Sequence, residues 1–267
     1  MLYRKSLKIV LLAAIVGIFC TSCAQKKKPY NIVFISIDTL RADHLGAYGY
    51  KRDTSPTIDA FAKDNIFFEN FHTVVPKTGP SVTSFFTGRY VQHHGVTTNA
   101  LRRDESIKTL TQVLPASFKK VAINANLGLN EARGYADGFD DFTVLMAGAQ
   151  SMAAQSQAEL TPKAIAWLKE NGKEGNFFMW LHYLDPHGPF SPPAQYKDMF
   201  INDKFYDASK KVALDYIPQE ENENTVLGAV PKYQRLGDNN EVDFYISQYD
   251  AEIRYTDDEI KKLFAYL

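Results

Sequence analysis

An α/β fold with a mainly parallel, doubly wound sheet and helices on both faces is the class this sequence predicts, and three observations carry it. Residues 31–37, Asn-Ile-Val-Phe-Ile-Ser-Ile, form an unbroken β-branched and aromatic run, the pattern of a strand buried on both faces of a parallel sheet. Strand-like and helix-like segments then alternate along the chain, the rhythm of βαβ units. With 267 residues, 45% of them hydrophobic and a net charge of -1, the chain has the composition of an ordinary globular protein large enough to bury a substantial core. The near-neutral charge gives no basic face for nucleic acid, and no nucleic-acid partner is expected.

The elements follow in order. Residues 1–22 read as an export signal, because Arg4, Lys5 and Lys8 precede an apolar run from Ile9 to Phe19 that is short for a bilayer span. The run ends in Cys20-Thr21-Ser22-Cys23, which resembles a bacterial lipobox, so Cys23 is the expected lipidation site. Plain cleavage or an uncleaved anchor are the alternatives, and all three put the domain outside the cytoplasm. The expected setting is a bacterial cell envelope, with the domain lipid-anchored to the membrane on the periplasmic or extracellular side. Both cysteines lie in this segment, so the mature domain can hold no internal disulfide. Residues 23–29 form a lysine-rich tether, and residues 30–267 form one domain.

Within that domain, residues 31–37 are expected as the first central strand. A helix over Ile58 to Asp64 is introduced by Thr54-Ser55-Pro56, and Ile66 to Phe71 reads as another strand. Residues 78–87 suit a helix that Thr78 can cap, with Pro80 in its first turn and Gly88 ending it. Val121 to Asn126 is a further strand. Thr161-Pro162 opens a helix with Ile165 and Leu168 on one face and Gly172 beyond its end, and Phe177 to Leu184 supplies a buried strand. Residues 192–240 are polar and irregular, an insertion expected to shape a substrate rim. From Asp250 the chain is helical again, with an apolar stripe of Ile253, Ile260, Leu263, Phe264 and Leu267.

Parallel sheets hold their ligands at the carboxyl ends of strands. Asp38 stands directly after the first strand, where a carboxylate suits a hard divalent cation or, alternatively, caps a helix. Thr78 puts a hydroxyl at a helix N-terminus, where backbone N–H groups and the dipole favour an oxyanion such as sulfate or phosphate. A metal held by Asp38 could make that hydroxyl an alkoxide nucleophile; the plainer reading of Thr78 is an N-cap.

Asp38-Thr-Leu-Arg-Ala-Asp-His-Leu-Gly-Ala-Tyr-Gly-Tyr50, Thr54-Ser-Pro, Thr78-x-Pro-Ser, Thr87-Gly-Arg-Tyr90 and His94-Gly-Val96 occur here in that order. Gly134-Tyr-Ala-Asp-Gly-Phe-Asp-Asp-Phe142, Leu181-His-Tyr-Leu-Asp-Pro-His-Gly-Pro-Phe190 and Tyr249-Asp-Ala-Glu-Ile-Arg-Tyr255 follow. This series resembles the sulfatase family of the alkaline phosphatase superfamily over residues 30–267. The resemblance implies an alkaline phosphatase-like fold, Asp38 as a metal ligand, and Thr78 as metal-bound nucleophile. It also implies His187 as the histidine at the transferred group or leaving oxygen, and Asn126 and His182 as lesser substrate-binding residues. His44, His93 and His94 are left as structural.

The departures carry information too. Sulfatases with formylglycine derive it from Cys or Ser at the nucleophile position, followed shortly by Arg; Thr78 and Val82 stand here, so no formylglycine is expected. A threonine there resembles the phosphodiesterase, phosphomutase and phosphoethanolamine-transferase branches, which adds weight to phosphoryl chemistry. Thr39 replaces a second carboxylate, and the family's Lys-x-His pair has no counterpart near Asn126 beyond Asn126 itself. The implied activity is hydrolysis of a sulfate or phosphate ester of a sugar, lipid or small molecule, with Ca, Mg, Mn or Zn as the divalent metal. A phosphoethanolamine-type transferase and a non-catalytic anion-binding envelope lipoprotein are the alternatives. The family's Asp-His-Gly type motif, which brings further metal ligands, is absent from the sequence. The expectation is therefore a catalytic half-site truncated at the C-terminus, inactive by itself, with the apolar stripe of the last helix facing water.

Overall fold

A computed structural model of the chain describes residues 30–145, 156–173, 175–201, 203–214 and 230–267. The signal, Cys23 and the tether lie outside the described residues. Strands β1 (Asn31–Ile37), β2 (Phe118–Asn124), β3 (Asp141–Val144) and β4 (Asn176–Tyr183) form one all-parallel sheet in the order β1-β4-β2-β3. The central strand β4 is buried along nearly its whole length, as a strand paired on both edges must be. Its alternate side chains divide between two layers. Phe177, Met179, Leu181 and Tyr183 join Val121, Ile123, Leu160 and Leu168 on one face, while Phe178 and Trp180 join Val82, Phe86 and Leu129 on the other.

Helices cover both faces: α1 (Pro56–Asp64), α2 (Thr78–Thr87), α3 (Val91–His94), α4 (Leu110–Val113), α5 (Ser156–Asn171), α6 (Ala194–Lys197) and α7 (Val242–Tyr266). Helix α2 brings Val82 and Phe86 to one layer, and α5 and α7 bring Leu160, Leu168, Ile260 and Leu263 to the other. The doubly wound α/β class is the one expected. Gly88 ends α2 with φ 64°, a conformation that costs glycine nothing.

Several expectations are corrected. Strand β1 is an edge strand among the described residues, with its side chains mostly half-buried, because β4 inserts between it and β2. An apolar run reports covered faces and is blind to whether both edges are paired. Residues 66–71 form no strand; Ile66, Phe68 and Phe71 are 86%, 66% and 78% exposed, since nothing described pairs with them. Helix α5 starts at Ser156, ahead of Thr161, whose hydroxyl lies 3.0 Å from the Tyr183 hydroxyl and caps nothing. Strand β3, four residues long, carried no pattern that could announce it. The stripe on α7 does not face water: Ile253, Ile260 and Leu263 are buried, and Phe264 packs on the same core. Only its last member, Leu267, is largely exposed.

Where β4 ends, Asp185 is buried against α7, and burial pushes its carboxyl up to about 7. Burial and the charge of Asp185 likewise raise the carboxyl of Glu252, whose Oε1 accepts the Ser191 amide. A raised carboxyl keeps its proton in the folded state while the unfolded chain, titrating near pH 4, has released it. Stability from this site is therefore complete below about pH 4 and lost as pH rises to about 7. Asp185→Asn cannot ionise, so its urea midpoint should fall less than that of the parent chain between pH 4.5 and 7.5. Parallel pH profiles for the two proteins would contradict this assignment.

Candidate active site

The carboxyl ends of β1, β2 and β4 meet at one edge of the sheet. The Asp38 amide donates to the Tyr183 carbonyl at 2.9 Å and the Ala125 amide to the His182 carbonyl at 3.0 Å, so residues 38, 125 and 183 are level. Directly after Asp38 the chain turns through Thr39, a non-glycine residue at φ 54°, which is unusual for a β-branched side chain. Tyr249 of α7 clamps the turn: its hydroxyl donates to the Thr39 carbonyl at 2.7 Å and accepts the Arg41 amide at 2.9 Å.

Three of the expected site residues, Thr78, Asn126 and His182, converge on a fourth, Asp38. The Thr78 hydroxyl donates to it, 3.1 Å from Oδ2 and 3.3 Å from Oδ1, and the Asn126 amide donates to Oδ2 at 2.9 Å. His182 Nε2 faces the same oxygen at 3.5 Å. Ser36, not singled out in the sequence, sets up that histidine. Trp180 Nε1 can only donate, and it does so to Ser36 Oγ at 2.9 Å; Ser36 in turn lies 2.8 Å from His182 Nδ1. In a neutral imidazole the Ser36 hydroxyl donates to Nδ1, so the ring carries its proton on Nε2, directed at Asp38. The alternation of β1, which puts Ser36 and Asp38 on one side of the chain, was the signal that could have found it.

Burial works against ionisation of Asp38, but hydrogen bonding to His182, the positive charge that His182 and His187 carry when protonated, and the Asn126 amide outweigh it and hold the carboxyl below its ordinary range. At neutral pH, Asp38 is a carboxylate accepting the Thr78 proton.

Thr78 does not cap α2. Lys77 occupies the cap position without a side-chain bond, and the Thr78 hydroxyl turns to Asp38 instead. The head of the helix is also less open than a bare N-terminus: the Gly79 amide donates to Asn99 Oδ1 at 2.8 Å, the Ser81 amide to the Lys77 carbonyl at 3.0 Å, and position 80 is proline. A Cβ on Gly79 would come within 3.0 Å of the Tyr135 hydroxyl and 3.1 Å of Asn99 Cα, so glycine is what lets this segment sit so tightly.

His187 is not bonded to Asp38. Its Nδ1–H donates to the Gly188 carbonyl at 2.8 Å, so in the neutral ring Nε2 is an acceptor. It lines an adjoining cleft of about 410 Å³, walled also by Thr39, Phe190, Tyr233, Tyr245 and Tyr249. Of the other histidines, His94 is buried between Ser84 and the Val96 amide, and His44 Nδ1 lies 2.6 Å from Asp250.

Residues 30–267 match the family model described as Sulfatase. The chain is a member of the sulfatase family. Among its sulfatase relatives is an N-acetylglucosamine-6-O-sulfatase of Bacteroides thetaiotaomicron, 25% identical over 222 residues that cover 75% of this chain and 39% of the relative. A solved structure described as in complex with its substrate, D-glucosamine-2-N,6-O-disulfate, superposes with a TM-score of 0.69 at 21% identity, covering 90% of this chain and 62% of that one. A phosphonate monoester hydrolase of Agrobacterium radiobacter superposes at 0.66 and 18% identity, covering 90% and 59%. At those identities the two structures speak for the sulfatase-type fold alone.

Sulfatase-family membership implies a divalent metal. Among the described residues no group of three or more His, Cys, Asp or Glu side chains is arranged to hold one. At the cluster around Asp38, one carboxylate already accepts Thr78 and Asn126, and Asn126 Oδ1 is turned away to the Gly128 amide at 2.8 Å. A divalent ion takes about six oxygen ligands, or about four donors for zinc. These residues alone do not fit it.

Proposed function

We propose that the full-length protein is a sulfatase-family hydrolase of sulfate or phosphate esters in which Thr78 is the nucleophile. The observation that carries this is the Thr78 hydroxyl held by an ionised, buried Asp38 at the strand edge where α/β sheets bind ligands. Thr78 Oγ1 forms a bond to sulfur or phosphorus as the bond to the alcohol oxygen breaks; its proton passes to Asp38, and the departing oxygen takes a proton from solvent to leave as the alcohol. A depressed carboxyl is a weak base, so Asp38 contributes more by orienting the hydroxyl than by driving its deprotonation. The Asn126 amide keeps Asp38 in place, and His182 Nε2 faces it at 3.5 Å. His187 stands at the mouth of the cleft, on the side of the departing alcohol, and water then releases the group from Thr78. The same proposal keeps the protein at a bacterial cell envelope with Cys23 as its lipid anchor, which the sequence of residues 1–23 supports.

A threonine nucleophile, which cannot become formylglycine, favours phosphoryl over sulfuryl transfer. The test is rapid acid quenching of the full-length protein during turnover of aryl sulfate, aryl phosphate and phosphodiester substrates, followed by peptide mass mapping. The expected result is the mass of one sulfuryl or phosphoryl group on the peptide containing Thr78. Steady turnover with the adduct on another residue would overturn the assignment. A binding-only protein is the second reading, favoured by the single carboxylate at the site; it predicts anion binding without turnover.

A further inference from the structure

We infer that Tyr249 is a positioning residue for the reaction: its hydroxyl holds Thr39 in a left-handed turn and, through that turn, aims the Asp38 carboxylate at Thr78. The catalytic part of this inference rests on the ester-cleaving reading above. Thr39, at φ 54°, is the one non-glycine residue with positive φ among the described residues; every other described residue in that region is glycine. A β-branched side chain disfavours the left-handed conformation, which persists only where the surroundings hold it.

The hold on Thr39 comes from one atom. Tyr249 Oη donates to the Thr39 carbonyl at 2.7 Å and accepts the Arg41 amide at 2.9 Å, so it bridges the turn that follows Asp38. The Thr39 side chain is exposed, so packing does not fix its backbone. Tyr249 is itself fixed. It is 8% exposed, and its ring packs on Phe190 and edge-on to His44 with centroids 5.6 and 4.9 Å apart. It stands on the 25-residue helix α7, whose next residue, Asp250, binds Arg52, Tyr50 and His44. Burial raises the Tyr249 hydroxyl above its ordinary range, so it remains a donor at neutral pH.

Asp38 stands between two restraints. On its amino side the sheet fixes it, since its N–H donates to the Tyr183 carbonyl at 2.9 Å; on its carboxyl side it is joined to the clamped turn. The direction of its Cα–Cβ bond follows from both. With it goes the reach of the carboxylate to the Thr78 hydroxyl at 3.1 Å and the Asn126 amide at 2.9 Å. Without the Tyr249 hydroxyl, Thr39 relaxes toward the extended region that a β-branched residue prefers, and the carboxylate loses its aim. The hydroxyl is taken up by residues 39 and 41, so its effect on Asp38 passes through the turn.

The test compares the full-length parent protein with Tyr249→Phe, Thr39→Gly and the double variant. Tyr249→Phe keeps the ring and its packing and removes only the oxygen. The Cα and Cβ NMR shifts of Thr39, assigned in threonine-labelled protein by their loss in Thr39→Gly, should move toward extended values in Tyr249→Phe. Unchanged shifts would overturn the clamp whether or not the protein turns over esters. With aryl sulfate and aryl phosphate substrates, kcat should fall about 10- to 100-fold in Tyr249→Phe, the scale of a small displacement of a reacting group, with KM held within about twofold. Glycine adopts this turn unaided, so in the Thr39→Gly background loss of the hydroxyl should lower kcat by less than about threefold. Equal losses in the two backgrounds, or moved shifts with kcat unchanged, mean a purely structural role and overturn the inference. If the shifts move and the parent cleaves no ester, the clamp on Thr39 stands and the hydrolase reading fails.

Discussion

Thr78→Ala in the full-length protein is expected to lower kcat for sulfate and phosphate esters by at least about 1,000-fold, the scale on which loss of a covalent nucleophile acts. Thr78→Ser should retain measurable turnover, because it keeps the oxygen and gives up only a methyl group. The effect should be chemical and not structural. The Thr78 hydroxyl makes no cap bond to α2, and the helix keeps Gly79, Thr83 and its buried face. Asp38 would lose one donor and keep Asn126. A stability loss of at most about 1 kcal/mol is consistent with one such bond, so unfolding curves recorded beside the rates separate the two causes. Equal kcat in parent and Thr78→Ala would end the nucleophile assignment.

Asp250→Ala should have the largest effect on stability, about 3–5 kcal/mol by urea unfolding, the range for breaking a buried ion pair from one side. The Asp250 side chain is 0% exposed, and three groups depend on it: Arg52 Nη1 at 2.8 Å, the Tyr50 hydroxyl at 2.7 Å and His44 Nδ1 at 2.6 Å. Its removal strands a guanidinium that is itself only 4% exposed and whose other partner is Asp203. The network joins the segment after β1, helix α7 and the loop at residue 203, so its loss loosens three parts of the fold together. Asp250→Asn keeps the shape and part of the hydrogen bonding and should cost less. A loss below about 1 kcal/mol for Asp250→Ala would mean that water replaces the carboxylate.

Local pattern made β1, α2 and β4 legible, because a run of β-branched residues and a helix bracketed by proline and glycine report conditions within a few residues. The convergence of Thr78 and Asn126 on Asp38 was expected only through family resemblance, since those residues are far apart in the chain. Position within the sheet was not legible: β1 and β4 carry similar apolar runs, yet one lies at the edge and the other at the centre. The relative placement of the two histidines was not legible either. His182 was ranked below His187, but the side chain of His182 points along the pleat to Ser36 and Asp38, while His187 turns back to Gly188. The aromatic cleft escaped because Phe190, Tyr233 and Tyr249 come from three separate segments that only the fold assembles.

The insertion of β4 between β1 and β2 also bears on how the protein is made. Ser36 and His182 are 146 residues apart, so at about 5–20 residues per second the ribosome needs roughly 7–30 s to deliver β4 after β1. During that interval β1 has no sheet partner among the described strands, and Asp38 lacks the strand that levels it with Ala125. The nascent chain must therefore hold an apolar strand unpaired while most of the domain is still being translated. High contact order of this kind slows folding and lengthens exposure to aggregation, which makes the time before β4 emerges the period when a holdase chaperone would protect the chain most.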